Sequence, residues 1–141
     1  MDWKTTMYKL NNGSKETLKN LAKEKGIVLF FYPHANTTFC TLEAKEFEKN
    51  LELIESKGYA VVGASRDLIS DQQDFVDNCK LTFPLISDTE EILHKGLMVL
   101  DQDNDDAAIR SSFILDKELN VKKEMRNVEA VEHIKELIAS L

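Results

Sequence analysis

The sequence predicts an α/β protein in which a central β-sheet carries helices on both faces. Two continuous apolar and β-branched runs, Gly26–Tyr32 and Tyr59–Ser65, are typical of strands that are buried on both sides of a sheet. Between and after these runs, apolar residues recur at helical spacing, so strands and helices alternate along the chain. Such alternation is expected to place helices above and below one sheet.

The first helix is predicted to follow Pro33, which ends the first strand because proline has no backbone N–H to donate. The helix is expected to stop at Lys57-Gly58, since glycine suits a left-handed helix cap. Its apolar stripe is formed by residues three or four positions apart, namely Ala44, Phe47, Leu51 and Ile54.

The second half of the chain repeats this alternation. Ser70 and Gln73 match a capping box and predict the start of a helix that ends at Cys79. No repeat or linker interrupts the chain, so a single domain over residues 1–141 is expected. The remaining elements are a short extended segment "FPLISD", a short helix from Thr89 to Gly96, a hairpin of "AIRSSFILD" and "NVKKEM" joined at Lys117–Leu119, and an amphipathic helix "VEAVEHIKELIASL" with Val131, Ile134, Leu137 and Ile138 inward.

The composition excludes several classes of function. A formal net charge of -7 argues against nucleic-acid binding and against an anionic membrane surface. No apolar run approaches the roughly 20 residues that a membrane span needs, and the first ten residues lack the apolar core of a secretion signal. With two cysteines in 141 residues, a cytoplasmic location is expected, where cysteines remain thiols.

The sequence predicts neither a metal site nor a cofactor. The three histidines, His34, His94 and His133, are scattered rather than clustered at ligand spacing. The segment "DQDNDD" has the alternating aspartates of a calcium loop but lacks its glycine and its final glutamate. We therefore expect a solvated loop there.

Cys40 is predicted to lie in the first turn of the first helix, facing the protein, because it precedes Ala44 by four residues. Free cysteine is often a small apolar core residue. Alternatively, the positive end of the helix favours a reactive thiolate at this position. Thr37 and Pro33 likewise have structural interpretations, as a helix cap and as a strand terminator. Position alone leaves these alternatives open.

The joint spacing Pro33-x-x-x-Thr37-x-x-Cys40 resembles the active-site motif of the peroxiredoxins, which are thiol peroxidases of thioredoxin fold. The similarity is greatest to the peroxiredoxin Q group, also called bacterioferritin comigratory proteins. It extends over nearly the whole chain, in the blocks "VLFFYPHANTTFCTLEAKEF", "VVGASRD", "LTFPLISD" and "RSSFILDKELNV". The resemblance implies a thioredoxin-like fold with a mixed sheet, and it makes Cys40 the peroxidatic cysteine.

The resemblance also implies roles for four further residues. Arg110 in "IRSSFILD" matches the active-site arginine of the group, and Glu43 matches the glutamate that orients it. Thr37 is expected to hydrogen-bond the peroxide, and Pro33 to roof the pocket. The alternative for Arg110 is a residue at the rim of a strand, paired with a surface carboxylate.

Two departures from the group's pattern affect these expectations. Thr38 and Phe39 stand where the group usually has proline and glycine, and Phe39 is expected at the pocket mouth, where it favours apolar hydroperoxides or restricts access. Lys45 stands where many members carry a second cysteine. The local route for resolving an oxidised Cys40 is therefore absent.

The resemblance to another subset of the group makes Cys79 the candidate resolving cysteine. At a helix C-terminus the dipole disfavours a thiolate, so Cys79 is expected to be an ordinary thiol that condenses with the Cys40 sulfenic acid. A disulfide requires Cα atoms within about 7 Å, so the first helix turn is expected to unwind. Alternatively, Cys79 is a buried residue on the Phe75 side of its helix, and an external thiol reduces Cys40.

We therefore expect a cytoplasmic enzyme that reduces hydrogen peroxide or alkyl hydroperoxides and is recycled by a thioredoxin-like protein, as a monomer or weak homodimer. One alternative is a thioredoxin-fold redox sensor or binding module that signals through oxidation of Cys40. The other is a structural domain with inert cysteines, in which Cys40 would resist alkylation below the ordinary pKa of a thiol. Steady-state peroxide consumption with thioredoxin separates the enzyme from the sensor.

Overall fold

The computed structural model describes residues 2–104 and 107–141. The strands, in chain order, are β1 (Tyr8–Leu10), β2 (Lys15–Glu16), β3 (Gly26–Phe31), β4 (Tyr59–Ser65), β5 (Leu85–Ser87), β6 (Leu100–Asp101), β7 (Ala107–Ala108), β8 (Ser111–Asp116) and β9 (Val121–Met125). The helices are α1 (Leu18–Leu21), α2 (Thr38–Lys49), α3 (Leu51–Ser56), α4 (Ile69–Cys79), α5 (Ile92–Gly96) and α6 (Glu132–Ala139), and Gln102–Asn104 form a turn of 3-10 helix.

Within these residues, seven strands form one mixed sheet in the order β2-β1-β5-β4-β3-β8-β9. The neighbours β3, β4 and β5 are parallel, whereas β8 runs antiparallel to β3 and forms the predicted hairpin with β9. The short strands β6 and β7 pair with each other outside this sheet. The predicted mixed sheet is therefore confirmed.

The central strand β3 is buried along its whole length because helices cover both of its faces. Phe30 faces the core that contains residues of α2, α4 and α6, and its ring stacks on Phe47 of α2 at a centroid distance of 4.3 Å. Phe31 faces the opposite core and packs edge-on against His94 of α5 at 4.9 Å. This alternation confirms helices on both faces of the sheet.

The first predicted helix is interrupted in the structure. Helices α2 and α3 meet at Asn50, whose amide Nδ2 donates to the carbonyl of Glu46 at 2.8 Å and to its carboxylate at 3.0 Å. Asparagine readily makes such local side-chain bonds in place of regular helix. The predicted stop is confirmed, because Lys57 caps α3 and Gly58 adopts a positive φ of 92°.

The prediction that Ser70 opens α4 is wrong. The helix begins at Ile69, with Leu68 in the extended capping position and no side-chain cap. The loop before it is held by tertiary bonds instead, since the Ser87 hydroxyl donates to the carbonyl of Asp67 at 2.6 Å. These bonds set the start of the helix, which ends at Cys79 as predicted.

Other predicted bounds are too wide. The short helix α5 begins at Ile92 rather than Thr89, because Glu91 has a left-handed backbone. Strand β8 begins at Ser111, after Arg110. The sequence also leaves β1, β2 and α1 unassigned, since these elements are only two to four residues long. Of the segment "DQDNDD", residues 105–106 lie outside the described part of the chain.

In the part of the chain that the structure describes, no helix combines the length and the apolar character needed to cross a membrane.

Candidate active site

The sheet brings the two halves of the candidate site together. Phe31, the last residue of β3, pairs with Ser111, the first residue of β8. The chain leaving β3 toward α2 therefore lies beside the chain entering β8. Cys40 arrives from the first side and Arg110 from the second, although 70 positions separate them.

Cys40 is the third residue of α2 and is 1% exposed, which confirms the predicted position in the first helical turn. Thr37 is the capping residue, with an extended backbone and a carbonyl that accepts the amide of Thr41 at 2.9 Å. The N–H groups of the first turn have no partner within the helix, and the helix dipole adds positive potential there. The sulfur thus lies in an environment that favours negative charge.

Arg110 bridges the cysteine and a buried carboxylate. Its Nη2 donates to Cys40 Sγ at 3.3 Å, and its Nη1 donates to Glu43 Oε1 at 2.6 Å. The Arg110 carbonyl accepts the amide of Val128 at 3.0 Å, which fixes the backbone just before β8. The alternative of a rim arginine paired with a surface carboxylate is wrong, because its partner is fully buried.

Glu43 follows Cys40 by three residues, so both side chains lie on the same face of α2. Burial raises the pKa of the Glu43 carboxyl, and the charge and hydrogen bond of Arg110 oppose this rise. Burial alone would lower the pKa of Arg110, but Glu43 and Cys40 raise it overall. The guanidinium therefore stays charged, and its fixed charge opposes protonation of the buried Glu43 carboxyl.

Thr37 and Pro33 lie on the segment that links β3 to α2. Thr37 is exposed, and its hydroxyl donates to the carbonyl of His34 at 2.9 Å, which leaves the oxygen available as an acceptor. Pro33 is half-buried. The Asp67 carboxylate accepts the amide of Ala35 at 2.8 Å and so anchors the segment to the loop after β4.

Cys79 packs in the same apolar core as Cys40, and both thiols are free. Burial raises the pKa of Cys79, while the charge of Lys45 and the hydroxyl of Thr41 act against it. Both of these residues belong to α2, so Cys79 lies against the helix that carries Cys40. Burial is the largest of these effects, so the pKa of the Cys79 thiol lies above its ordinary value.

Two residues near the site have no functional role in the sequence-based prediction. Tyr32, interpreted only as the end of a strand, is buried beside the site. Burial raises the pKa of its phenol, and the charges of Asp67 and Cys40 raise it further.

His133 is buried on α6 and places Nε2 at 3.8 Å from Glu43 Oε2. The sequence does indicate that His133 lies on the inward face of its helix, because it precedes the inward Leu137 by one helical turn.

A cleft of about 490 Å³ opens beside Arg110, between the start of α2 and the start of α6. Phe39 contributes to it and is 65% exposed, so its ring lies at the mouth of this cleft. The cleft is lined by the apolar side chains of Phe39, Leu42, Val128, Ala130 and Val131, and by Arg110, Glu129 and Glu132. It offers apolar surface next to the guanidinium.

Across residues 2–104 and 107–141, no three histidine, cysteine or carboxylate side chains gather as a metal site would require. His94 instead forms a buried pair with Asp88 at 2.6 Å, and His34 lies 3.8 Å from Asp67.

Comparisons with known proteins show the family to which the chain is similar. The model of the AhpC/TSA family matches residues 3–124. The putative peroxiredoxin bcp of Helicobacter pylori is 36% identical over 138 residues, covering 94% of this chain and 90% of that protein. Peroxiredoxin Bcp of Xanthomonas campestris is 30% identical over 137 residues, covering 94% and 85%.

Solved structures show the same similarity. A mutant of Xanthomonas campestris peroxiredoxin Q matches with a TM-score of 0.90 and 28% identity, covering 97% of this chain and 90% of that chain. A structure of the bacterioferritin comigratory protein from the same organism matches with a TM-score of 0.89 and 27% identity, covering 97% and 90%. That structure comes from work on trapped intermediate and ligand complexes and on alkyl peroxide reduction.

The fold and these similarities define a thiol-dependent peroxidase with a thioredoxin-like fold. The chain belongs to the AhpC/TSA family. Its relatives are peroxiredoxins of the Bcp and Q type, which confirms the resemblance found in the sequence.

Replacing Arg110 with lysine tests the bridge between Cys40 and Glu43. Lysine keeps the charge but has no planar fork, so it cannot donate to both partners with the same geometry. We expect Arg110→Lys to slow the alkylation of Cys40 at neutral pH by about tenfold, since hydrogen bonds to charged groups contribute about 1.5–3 kcal/mol. The rate is measured by mass spectrometry of the Cys40 peptide.

Arg126→Lys is the matched control. Its guanidinium donates to the carbonyls of Leu97 and Met98 and lies over Phe113, away from the sulfur. The control should alkylate like the wild type. Equal rates for wild type and Arg110→Lys would contradict the bridging role.

Proposed function

We propose that Cys40 is the peroxidatic cysteine that carries out the hydroperoxide reduction. The observation that carries this proposal is the pair of hydrogen bonds from Arg110, at 3.3 Å to Cys40 Sγ and 2.6 Å to Glu43 Oε1. A guanidinium held by a buried carboxylate stabilises a thiolate, which is the nucleophilic form of cysteine.

The proposed reaction is a two-electron displacement. The Cys40 thiolate attacks the terminal oxygen of ROOH, the S–O bond forms and the O–O bond breaks. Cys40 is oxidised to the sulfenic acid, and the peroxide is reduced to RO⁻, which takes up a proton to give ROH. Arg110 and the free N–H groups of the first turn of α2 are donors for the oxygen that gains charge.

Thr37 and Pro33 are proposed to shape the place where the peroxide binds. The Thr37 hydroxyl donates to the carbonyl of His34, so its oxygen can accept the O–H of a hydroperoxide. Pro33 has no N–H and therefore adds a wall without a competing donor. Both residues lie on the segment anchored by Asp67.

The cleft beside Arg110 is the proposed site for the organic part of the substrate. Its apolar lining suits an alkyl or aryl group, and its carboxylates, Glu129 and Glu132, favour an uncharged substrate over an anionic one. Hydrogen peroxide would react without using the cleft. The bacterioferritin comigratory protein of Xanthomonas campestris has been studied for alkyl peroxide reduction, which supports the same substrate class here.

Cys79 is the proposed resolving cysteine. Its thiol condenses with the Cys40 sulfenic acid, which forms an S–S bond and releases water. Its place against α2 supports this proposal, and we expect the first turn of α2 to unwind so that the two sulfurs can meet. A thioredoxin-like dithiol protein then reduces the disulfide by exchange.

We also propose a cytoplasmic enzyme that acts as a monomer or weak homodimer. Two free thiols suit a reducing compartment, where a dithiol reductant is present. The net charge of -7 opposes close association between copies of the chain.

Serine variants of the two cysteines test this cycle. We expect Cys40→Ser to abolish peroxide consumption, because the serine hydroxyl does not ionise at neutral pH and is a poor nucleophile. Cys79→Ser should keep the first oxidation of Cys40 but lose turnover supported by thioredoxin and its reductase. Single-turnover kinetics, steady-state kinetics and mass spectrometry of peroxide-treated protein measure these steps.

The outcomes separate the alternatives. Full activity of Cys40→Ser would overturn the proposed mechanism. A persistent sulfenic acid in the wild type, without a Cys40–Cys79 linkage, would exclude Cys79 as the resolving residue and indicate an external thiol. Consumption of a single equivalent of peroxide in the presence of thioredoxin would contradict a catalytic cycle and favour a redox sensor.

The substrate cleft is tested by removing the exposed ring at its mouth. We expect Phe39→Ala to lower kcat/KM for cumene hydroperoxide about fivefold, because the loss of roughly 1 kcal/mol of apolar contact has this effect. The value for hydrogen peroxide should stay unchanged. Leu53→Ala is the control, since Leu53 is an exposed apolar residue of α3 that does not line the cleft.

A rise in kcat/KM for cumene hydroperoxide in Phe39→Ala would contradict this proposal and show that the ring restricts access. Equal losses for both peroxides would contradict a cleft that binds the organic group.

A further inference from the structure

His133 is a buried histidine whose two ring nitrogens both have partners. Nδ1 lies 2.5 Å from the carbonyl of Glu129, which can only accept, so Nδ1 carries a proton. Nε2 lies 2.8 Å from Ser112 Oγ. In the neutral ring Nε2 is an acceptor, and the Ser112 hydroxyl donates to it. These two bonds set the tautomer and the orientation of the ring.

The ring lies next to the part of Glu43 that Arg110 does not reach. Arg110 binds Oε1, while Oε2 is buried without a hydrogen-bond partner. His133 Nε2 is 3.8 Å from this oxygen, which is too far for a hydrogen bond. The ring also packs edge-on against Phe47 of α2, with centroids 6.1 Å apart. His133 thus contacts the side of Glu43 that faces away from Arg110.

We infer that His133 is a positioning residue for the peroxidase reaction. Its neutral ring packs behind Glu43, so Arg110 is the only cation among the described residues that pairs with this carboxylate. This inference rests on the proposed roles of Cys40 and Arg110. Ser112 contributes to this arrangement, because its hydroxyl donates to Nε2 and so favours the tautomer in which Nε2 carries no proton. Ser112 is fixed by β8, the strand that Arg110 precedes.

The charges around the ring favour its neutral state. Burial lowers the pKa of His133, the bond to the Glu129 carbonyl opposes this, and Arg110 lowers the pKa further. Glu136 and Glu132 of α6 act in the opposite direction, and Glu43 of α2 faces Nε2. The ring therefore takes up a proton only as the pH falls below the ordinary histidine value of about 6.5.

Protonation would change the function of the ring. Nε2 would become a donor, and the Ser112 hydroxyl at 2.8 Å would rotate to accept from it. The ring would then carry a positive charge 3.8 Å from the unpaired Glu43 Oε2. Glu43 would then interact with two cations, the Arg110 guanidinium and the His133 ring, and its ion pair with Arg110 would weaken. We expect the guanidinium to support the Cys40 thiolate less well in this state, so the reactivity of Cys40 toward peroxide falls as the His133 ring is protonated.

Two substitutions of His133 test the inference in the full chain. His133→Gln can still accept from Ser112 but cannot titrate, whereas His133→Leu fills the space without a polar atom. At neutral pH we expect His133→Leu to lower the second-order rate constant for oxidation of Cys40 by hydrogen peroxide about 10- to 100-fold, as small misplacements in active sites do. His133→Gln should restore the rate to within about threefold of wild type.

The pH dependence supplies a readout that a merely structural role would not change. Only the wild type can protonate residue 133, so the ratio of the wild-type rate to the His133→Gln rate should fall as the pH is lowered from 7 toward 5. Dividing the two rates cancels the pH effects that do not involve residue 133. The rates are measured by stopped-flow kinetics with hydrogen peroxide.

His94→Gln and His94→Leu are the matched controls. His94 is also a fully buried histidine, but it packs in the opposite core and pairs with Asp88. These variants should lose stability in chemical denaturation and keep the reactivity of Cys40. Equal slowing by the His94 and His133 variants would overturn the inference, as would a wild-type rate in a folded His133→Leu protein.

If His133→Leu does not fold, the His133→Gln profile decides, and a ratio independent of pH overturns the inference. These outcomes are distinct from failure of the proposed function. That failure would appear as undiminished peroxide consumption by Cys40→Ser, whatever the His133 variants do.

Discussion

The buried ion pair between Glu43 and Arg110 is the constraint on which the site depends. A fully buried carboxylate is costly unless a fixed positive charge lies against it, and here the guanidinium does so at 2.6 Å. The benefit is reciprocal, because the same carboxylate fixes the direction of the fork whose second nitrogen reaches Cys40. Removing Arg110 would leave the buried Glu43 carboxyl unpaired, and removing Glu43 would take away the group that directs the guanidinium.

The sheet makes this pair possible. The antiparallel register of β3 and β8 sets Phe31 opposite Ser111, so the two chain segments that carry the reactive groups meet at the same end of these two strands. Apolar side chains pack on both faces of β3, and this packing holds that end of the sheet in place. The start of α2 can then present its free N–H groups to the same point as Arg110. A local feature, the helix end, and a long-range feature, the strand pairing, act on one sulfur.

Much of this arrangement is predictable because its signals are strong and local. Continuous apolar runs identify β3 and β4, helical periodicity identifies α2, and counting back along its stripe places Cys40 in the first turn. The contact of Arg110 with Cys40 and Glu43 is different, since no periodicity links positions 40 and 110. It follows from the resemblance to a family, and the register of β3 and β8 supplies the physical reason.

The features that escape prediction depend on tertiary contacts. A hydrogen bond from Ser87 holds the loop before α4, so the capping residues in the sequence do not mark the start of this helix. The break at Asn50 depends on a side chain bonding to its own helix. His133 shows only as a histidine on the apolar side of an amphipathic helix. Its closeness to Glu43 requires α6 to pack on α2, which the sequence of either helix does not show.

The measurement that tests the central claim most directly is the rate of Cys40 oxidation by hydrogen peroxide in Glu43→Gln. Glutamine keeps the size of the side chain and removes its charge, so Arg110 loses the partner that directs it. The account predicts a loss of at least about tenfold in a folded protein, with no loss in Glu46→Gln, where a carboxylate of the same helix bonds Asn50 instead. An unchanged rate in folded Glu43→Gln would contradict the claim that this ion pair orients the guanidinium for the reaction.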